Sequence, residues 1–239
     1  MCLLVNLLAV QDLSFTEENY LKAIWSLQQR SESGTAGASV NDIAARASTK
    51  PATVTDMLRK LSEKGLIRYE KYRPVHLTEQ GTAQALGVLR KHRLWETFLH
   101  GTLGFSWDEV HEVAEQLEHI QSPKLIERLD AFLGHPRFDP HGDPIPDAAG
   151  GLAPMPSLTL AAVGVGTACR IVAVRDGDSA FLQQLEKLGL RLDAAIVVQE
   201  RLAYDGSVAV RVEEEKTAVW VSEKMAGGVL VDCGPDSAA

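Results

Sequence analysis

The chain has 239 residues, 45% hydrophobic and 23% charged, with a net charge of −8. That is the composition of an ordinary globular protein, long enough for more than one core, and no apolar run reaches the roughly 18–20 residues that would span a bilayer. The charge is uneven: residues 1–93 carry 13 basic and 9 acidic side chains, and within 46–73 the balance is 8 to 3, so a basic footprint sits on an otherwise acidic chain.

The opening MCLLVNLLAV has no preceding Lys or Arg and no small-residue cleavage site after it. It does not read as a secretory signal, and residues 1–13 are taken as an N-terminal extension. Cys2, Cys169 and Cys233 form no C-x-x-C pair, which argues against a disulfide framework or a zinc ribbon and fits a reducing cytoplasm. Thr16 is expected to cap an amphipathic helix with Tyr20, Ile24 and Leu27 on its stripe. SESGTAGA reads as a loop. Ser39 then caps VNDIAARA, and after STK a Pro51 opens ATVTDMLRKLSEKG, with Val54, Leu58 and Leu61 inward and Gly65 as the stop. LIRYE and VHLT are short strand candidates joined by KYRP.

Helix, turn, helix and small hairpin make a winged helix-turn-helix, whose second helix enters the major groove of double-stranded DNA. Opposite its buried stripe this helix presents Lys50, Thr53, Thr55, Asp56, Arg59 and Lys60, and the hairpin tip offers Lys71, Tyr72 and Arg73. Each alone is equally an ordinary solvated position; together they point to phosphate and base contacts.

A long helix is expected over 79–100. Ser106 with Glu109 opens another through about Gln121, and Ser122–Pro123 opens a third through about Leu133. Their apolar content predicts a helical dimerisation surface, the two-fold partner that a palindromic site demands. Residues 135–157 are rich in Pro and Gly. The strand-like runs CRIVAVRD, AAIVVQERL, SVAVRVEEE and TAVWVSEK, with the helical DSAFLQQLEKLGL, suggest a small SH3-like barrel. The fold class is therefore α+β and multi-domain. A winged helix-turn-helix spans 14–81, an all-α dimerisation and metal-binding domain 82–145, a linker 146–157 and the barrel 158–233.

The chemistry is concentrated in the helix expected at 106–121. His111, Glu115, Glu118 and His119 fall at offsets that place all four on one helical face, a costly choice unless a cation compensates. His92 and Glu96 form an i, i+4 pair on the preceding helix. Together these residues can build two cation sites, and carboxylates with imidazoles and no thiolate favour Mn²⁺ or Fe²⁺ over structural zinc. The competing reading for each is a polar helix face with incidental histidines.

In order and spacing, TEENYL at 16–21, SVNDIAARASTKPATVTDMLRKLSEKGLI, LTEQG, RKHRL at 90–94, ExxEH at 115–119 and PHGDPIP at 140–146 resemble the diphtheria toxin repressor / manganese transport regulator family. The similarity covers about residues 14–146, with a weaker match in the C-terminal, FeoA-like barrel. It implies a dimeric, metal-activated repressor of metal uptake genes with no catalytic residues. By position it implies an activating site of Asn19, Glu115, Glu118 and His119. His92, Glu96 and His111 would form an ancillary site, with Asp176 and Asp178 as loosely aligned barrel ligands. Lys22 stands where two-manganese members carry a Glu, which implies two separated sites. The rivals are a winged-helix regulator that senses another signal, its barrel docking the chain's own Pro-rich segment, and a metal-dependent hydrolase.

Overall fold

A computed structural model describes residues 13–29, 37–107, 109–155, 157–175, 179–212 and 217–234. The expected extension, most of the SESGTAGA loop, Cys2, Asp176 and Asp178 lie outside the described residues. The chain divides into two compact units. One holds residues 1–91, 118–121 and 148–150, and the other holds the remainder.

The first unit is the winged helix-turn-helix. Its helices are α1 (Phe15–Gln29), α2 (Val40–Arg46) and α3 (Pro51–Glu63), and strands β1 (Ile67–Arg68) and β2 (His76–Leu77) form the wing. The cap of α1 is Ser14 rather than Thr16. The Ser14 backbone N–H donates to Glu17 Oε2 at 2.8 Å and the Glu17 N–H donates to Ser14 Oγ at 3.3 Å, a reciprocal capping box that starts earlier than expected. Lys64 Nζ then pairs with Glu17 Oε1 at 2.7 Å. Ser39 caps α2 as its sequence predicts, its hydroxyl accepting the Asp42 N–H. Pro51 begins α3, where its missing N–H costs nothing. Gly65 leaves it at φ +71°, and the Leu66 N–H returns to the Leu61 carbonyl at 3.0 Å. Leu21, Ile24, Ile43, Val54, Leu58, Leu61 and Leu66 form the core, all fully buried. The strands are two residues each, shorter than expected, and the bridge Ala38–Val75 brings a third segment to the wing.

Helix α4 (Glu79–Leu103) supplies residues to both units. The second unit continues with α5 (Val110–Leu117) and α6 (Pro123–Phe132). It ends in an antiparallel sheet of β3 (Ala168–Val174), β4 (Ala195–Arg201), β5 (Val208–Val212), β6 (Val219–Val221) and β7 (Val229–Asp232), ordered β6-β5-β4-β3-β7. Helix α7 (Ser179–Lys187) follows β3, and α8 (Glu223–Gly228) joins β6 to β7. The end strands β6 and β7 are not paired among the described residues, so the expected barrel is an open sheet there.

Two corrections follow. Cys169 and Cys233 are disulfide-bonded, contrary to the expectation that three dispersed cysteines with no C-x-x-C pair form no disulfide framework. Sequence distance is not spatial distance: β3 and β7 are neighbours with Arg170 opposite Asp232, and the next pair in that register is the two cysteines. With the two cysteines separated by 64 positions in the sequence, loop entropy gives the bridge about 4 kcal/mol. Thermal unfolding with reductant should show the sheet melting earlier than without it; coincident curves would mean that the bridge contributes nothing. Helix α5 also ends at Leu117 rather than near Gln121, so Glu118 and His119 leave the helix in a turn.

Candidate metal centre and nucleic-acid interface

The early end of α5 separates the four residues expected on one stripe. His111 and Glu115 stay exposed on the helix, with His111 Nε2 3.5 Å from Glu115 Oε1. Glu118 is fully buried and His119 nearly so, and both belong to the first unit with α1. Local helix propensity loses here to long-range polar partners. Lys22 Nζ donates to both Glu118 oxygens, at 2.7 and 2.8 Å. His119 Nδ1 forms a short hydrogen bond with Glu18 Oε2, and Phe15 stacks on its ring at 4.5 Å. Glu18 Oε1 accepts from Gln121 Nε2 at 2.7 Å and lies 3.6 Å from Lys91 Nζ. Burial pulls the Lys91 ammonium below its ordinary range, partly offset by Glu18 and Glu118.

Asn19 is exposed, and the α1 carboxylate that meets His119 is its neighbour Glu18. Sequence reasoning missed Glu18, Lys91 and Gln121. The signal available was spacing: Glu18 and Lys22 are one turn apart, on the side of α1 that buries Leu21. The two carboxylates and one imidazole are donors a divalent ion accepts, and two ammonium groups now hold that negative charge.

In the second unit the expected ancillary residues converge. His92 Nε2, His111 Nδ1 and Glu96 Oε1 are separated by 3.0, 3.1 and 3.2 Å. Adjacent ligands around an ion with bonds of about 2.1 Å stand roughly this far apart, so the set fits a cation. Glu96 is buried yet ionises well below the usual carboxylate range, because hydrogen bonds from His111 and His92 outweigh its desolvation. Two further residues face Glu96 that the sequence reading did not assign as ligands, Asp139 and His141. Burial, followed by the Glu96 and Asp143 carboxylates, pushes the Asp139 carboxyl well above its ordinary range despite Arg93.

The residues expected to face DNA lie where the helical pattern puts them. Lys50, Thr53, Asp56, Arg59 and Lys60 are exposed on α3 or at its cap, and Lys71 and Arg73 on the wing. Thr55 is different: its hydroxyl donates back to the Pro51 carbonyl at 3.0 Å. Arg59 pairs with Asp56 at 3.2 Å, an exposed bond that phosphate can displace. Tyr72 tips the wing at φ +66° with Lys71 Nζ 4.9 Å from its ring centre.

Residues 12–75 match the iron-dependent repressor N-terminal DNA-binding domain, 78–147 the iron-dependent repressor metal-binding and dimerisation domain, and 158–233 the FeoA domain. The iron-dependent repressor IdeR of Mycobacterium tuberculosis is 31% identical over 202 residues, 80% of this chain and 86% of its own length. The chain belongs to the iron-dependent repressor family. The diphtheria toxin repressor of Corynebacterium jeikeium is 34% identical over 137 residues, covering 57% of this chain and 55% of that one. A solved manganese-dependent transcriptional repressor in complex with manganese is 36% identical with a TM-score of 0.77, covering 91% of this chain and all of that one. As a family member, this repressor is a metal-dependent, DNA-binding transcription regulator of metal homeostasis, with the dimerisation domain typical of the family. No helix among its described residues is long and apolar enough to cross a membrane.

Proposed function

We propose that this repressor binds a palindromic operator as a homodimer when Mn²⁺ or Fe²⁺ is available, and represses metal uptake genes. We propose domain bounds of 14–81, 82–145 and 158–233, with a linker at 146–157 and no catalytic centre. The observation that carries the reading is the buried Glu18, Glu118 and His119 cluster packed on α1 of the winged-helix unit.

Glu118 and His119 are the heart of the proposed activating site, with Glu18 the residue that α1 contributes in preference to Asn19. His92, Glu96 and His111 form the proposed ancillary site, with Glu115 at its exposed edge and Asp176 and Asp178 as candidate barrel ligands. A divalent cation would supply, in one small ion, the positive charge that Glu18 and Glu118 now draw from Lys91 and Lys22. Lys22 is then the group to be displaced: its ammonium holds Glu118 when metal is scarce. Glu118 and His119 tie the 118–121 turn to α1, and α1 shares one hydrophobic core with the recognition helix α3. Holding α1 in a single position therefore holds α3, and a coupling of about 1–3 kcal/mol between the two events changes DNA affinity roughly 5- to 150-fold.

The DNA face is tested by Arg59→Ala with Lys60→Ala. Each cationic side chain removed from a phosphate should lower the slope of log affinity against log salt by about 0.9, with affinity falling on all sequences alike. Fluorescence anisotropy across a salt series with operator and unrelated duplexes measures this. An unchanged slope would remove α3 from the interface.

A further inference from the structure

The basic stretch 46–73 carries three acidic residues: Asp56, Glu63 and Glu70. Glu63 is the last residue of α3, and Glu70 lies between β1 and β2, 3.9 Å from Arg73. Asp56 is placed differently. It stands in the second turn of α3, with Ala52, Thr53, Arg59 and Lys60 exposed one turn to either side. Its own side chain is 72% exposed, at the centre of the face expected to enter the major groove.

The helix itself gains little from a carboxylate there. The helix dipole favours an acid within the first turn, and Asp56 lies beyond it. That first turn holds no acid, and the cap residue Lys50 makes no side-chain bond to it. The partner of Asp56 is Arg59 at 3.2 Å, and an exposed pair three residues apart contributes little to stability. Against this, a groove lined by phosphates repels a carboxylate, so Asp56 weakens binding to any duplex that offers it no donor.

The donors available in a major groove narrow the partner. Guanine presents N7 and O6 and thymine presents O4, all acceptors; the amino groups are cytosine N4 and adenine N6. An ionised carboxylate only accepts. Beside the adenine amino group stands N7, an acceptor that repels the second carboxylate oxygen. Beside cytosine N4 stands a C–H, which does not. The neighbouring threonines add no competing code. Thr55 commits its hydroxyl hydrogen to the Pro51 carbonyl at 3.0 Å, and Thr53, both donor and acceptor, can meet any base.

We propose that Asp56 reads a cytosine in each half-site, its carboxylate accepting the N4 amino group while Arg59 turns from Asp56 to phosphate. The inference rests on the reading of α3 as the helix that enters the groove. Asp56 is then a specificity residue that lowers affinity for DNA in general: it holds to one base pair and repels duplexes that lack the amino group at that position.

The test is selection of bound duplexes from a randomised pool by the full-length protein with Mn²⁺, for wild type, Asp56→Ala and Asp56→Asn. Anisotropy with the selected site and an unrelated duplex follows. Wild type should select cytosine at one position of each half-site, and changing that base should weaken binding roughly 5- to 150-fold. Asp56→Ala should lose this preference at that position alone, and bind the unrelated duplex at least as tightly as wild type. Asp56→Asn should shift the preference toward adenine, whose N6 and N7 a carboxamide matches. Asp56 is exposed and alanine favours helices, so the variants keep the fold, which circular dichroism checks. An unchanged cytosine preference in Asp56→Ala would overturn the proposal and leave Asp56 as the partner of Arg59 only. Loss of a preference for adenine, guanine or thymine instead would overturn it equally. Failure of the groove reading looks different: Arg59→Ala with Lys60→Ala would then keep the salt slope of wild type, or wild type would select no sequence, and either result overturns both.

Discussion

His119→Ala is expected to abolish the metal dependence of operator binding, a loss of roughly 5- to 150-fold in affinity at saturating Mn²⁺, while leaving a folded dimer. The imidazole is the nitrogen ligand that the proposed site takes from the cluster with Glu18 and Glu118, and Phe15 and Glu18 fix its orientation. Its removal costs one buried hydrogen bond and a stacked ring, about 1–3 kcal/mol. Glu18 still keeps Gln121 and Lys91, and Glu118 keeps Lys22, so no carboxylate is stranded. Anisotropy with and without Mn²⁺, beside size-exclusion chromatography, separates loss of response from loss of fold. A variant that answered Mn²⁺ as the parent does would remove His119 from the activating site.

The largest stability effect is expected at Arg93. Its guanidinium is buried, donates to the Pro144 carbonyl, and lies against Asp139 and Asp143. Arg93→Met fits the space but leaves the buried Asp139 without its cation. Breaking one partner of such a pair costs about 3–5 kcal/mol, far more than an exposed pair. Chemical denaturation should show that loss, with Arg93→Lys intermediate because an ammonium cannot reproduce the fork. A loss below about 1 kcal/mol would mean that the 137–146 segment is held by its backbone hydrogen bonds alone.

Elements governed by local chemistry were legible before the structure. Val54, Leu58 and Leu61 at helical spacing, Pro51 at the first position and Gly65 at the end give α3 its length and its buried face. The trio His92, Glu96 and His111 was also legible, because two of its members sit one turn apart and the third lies on the next helix. What was not legible depends on distant partners. The stop of α5 at Leu117 carries no local breaker; it reflects Lys22 and Glu18, about 100 residues away, drawing Glu118 and His119 inward. Asp139 and His141 sit in the Pro/Gly-rich stretch 135–157, which shows no helix or strand periodicity; the Phe138–Pro144 bridge, the Arg93 contact with the Pro144 carbonyl and docking on β3 give it structure. The strand β7 and the Cys169–Cys233 bridge were missed together, since the first creates the second. The charge asymmetry was informative: the exposed basic residues of α3 and the wing lie in the one strongly basic stretch.

The most direct test of the account is equilibrium binding of the wild-type protein to its own upstream DNA, with Mn²⁺, Fe²⁺ or Zn²⁺ added in turn and then removed by chelator. The account predicts specific binding that appears with Mn²⁺ or Fe²⁺ and disappears with chelator. Equally tight binding in chelator would contradict it, leaving the winged helix in place and Glu18, Glu118 and His119 as a buried ion network with no sensing role.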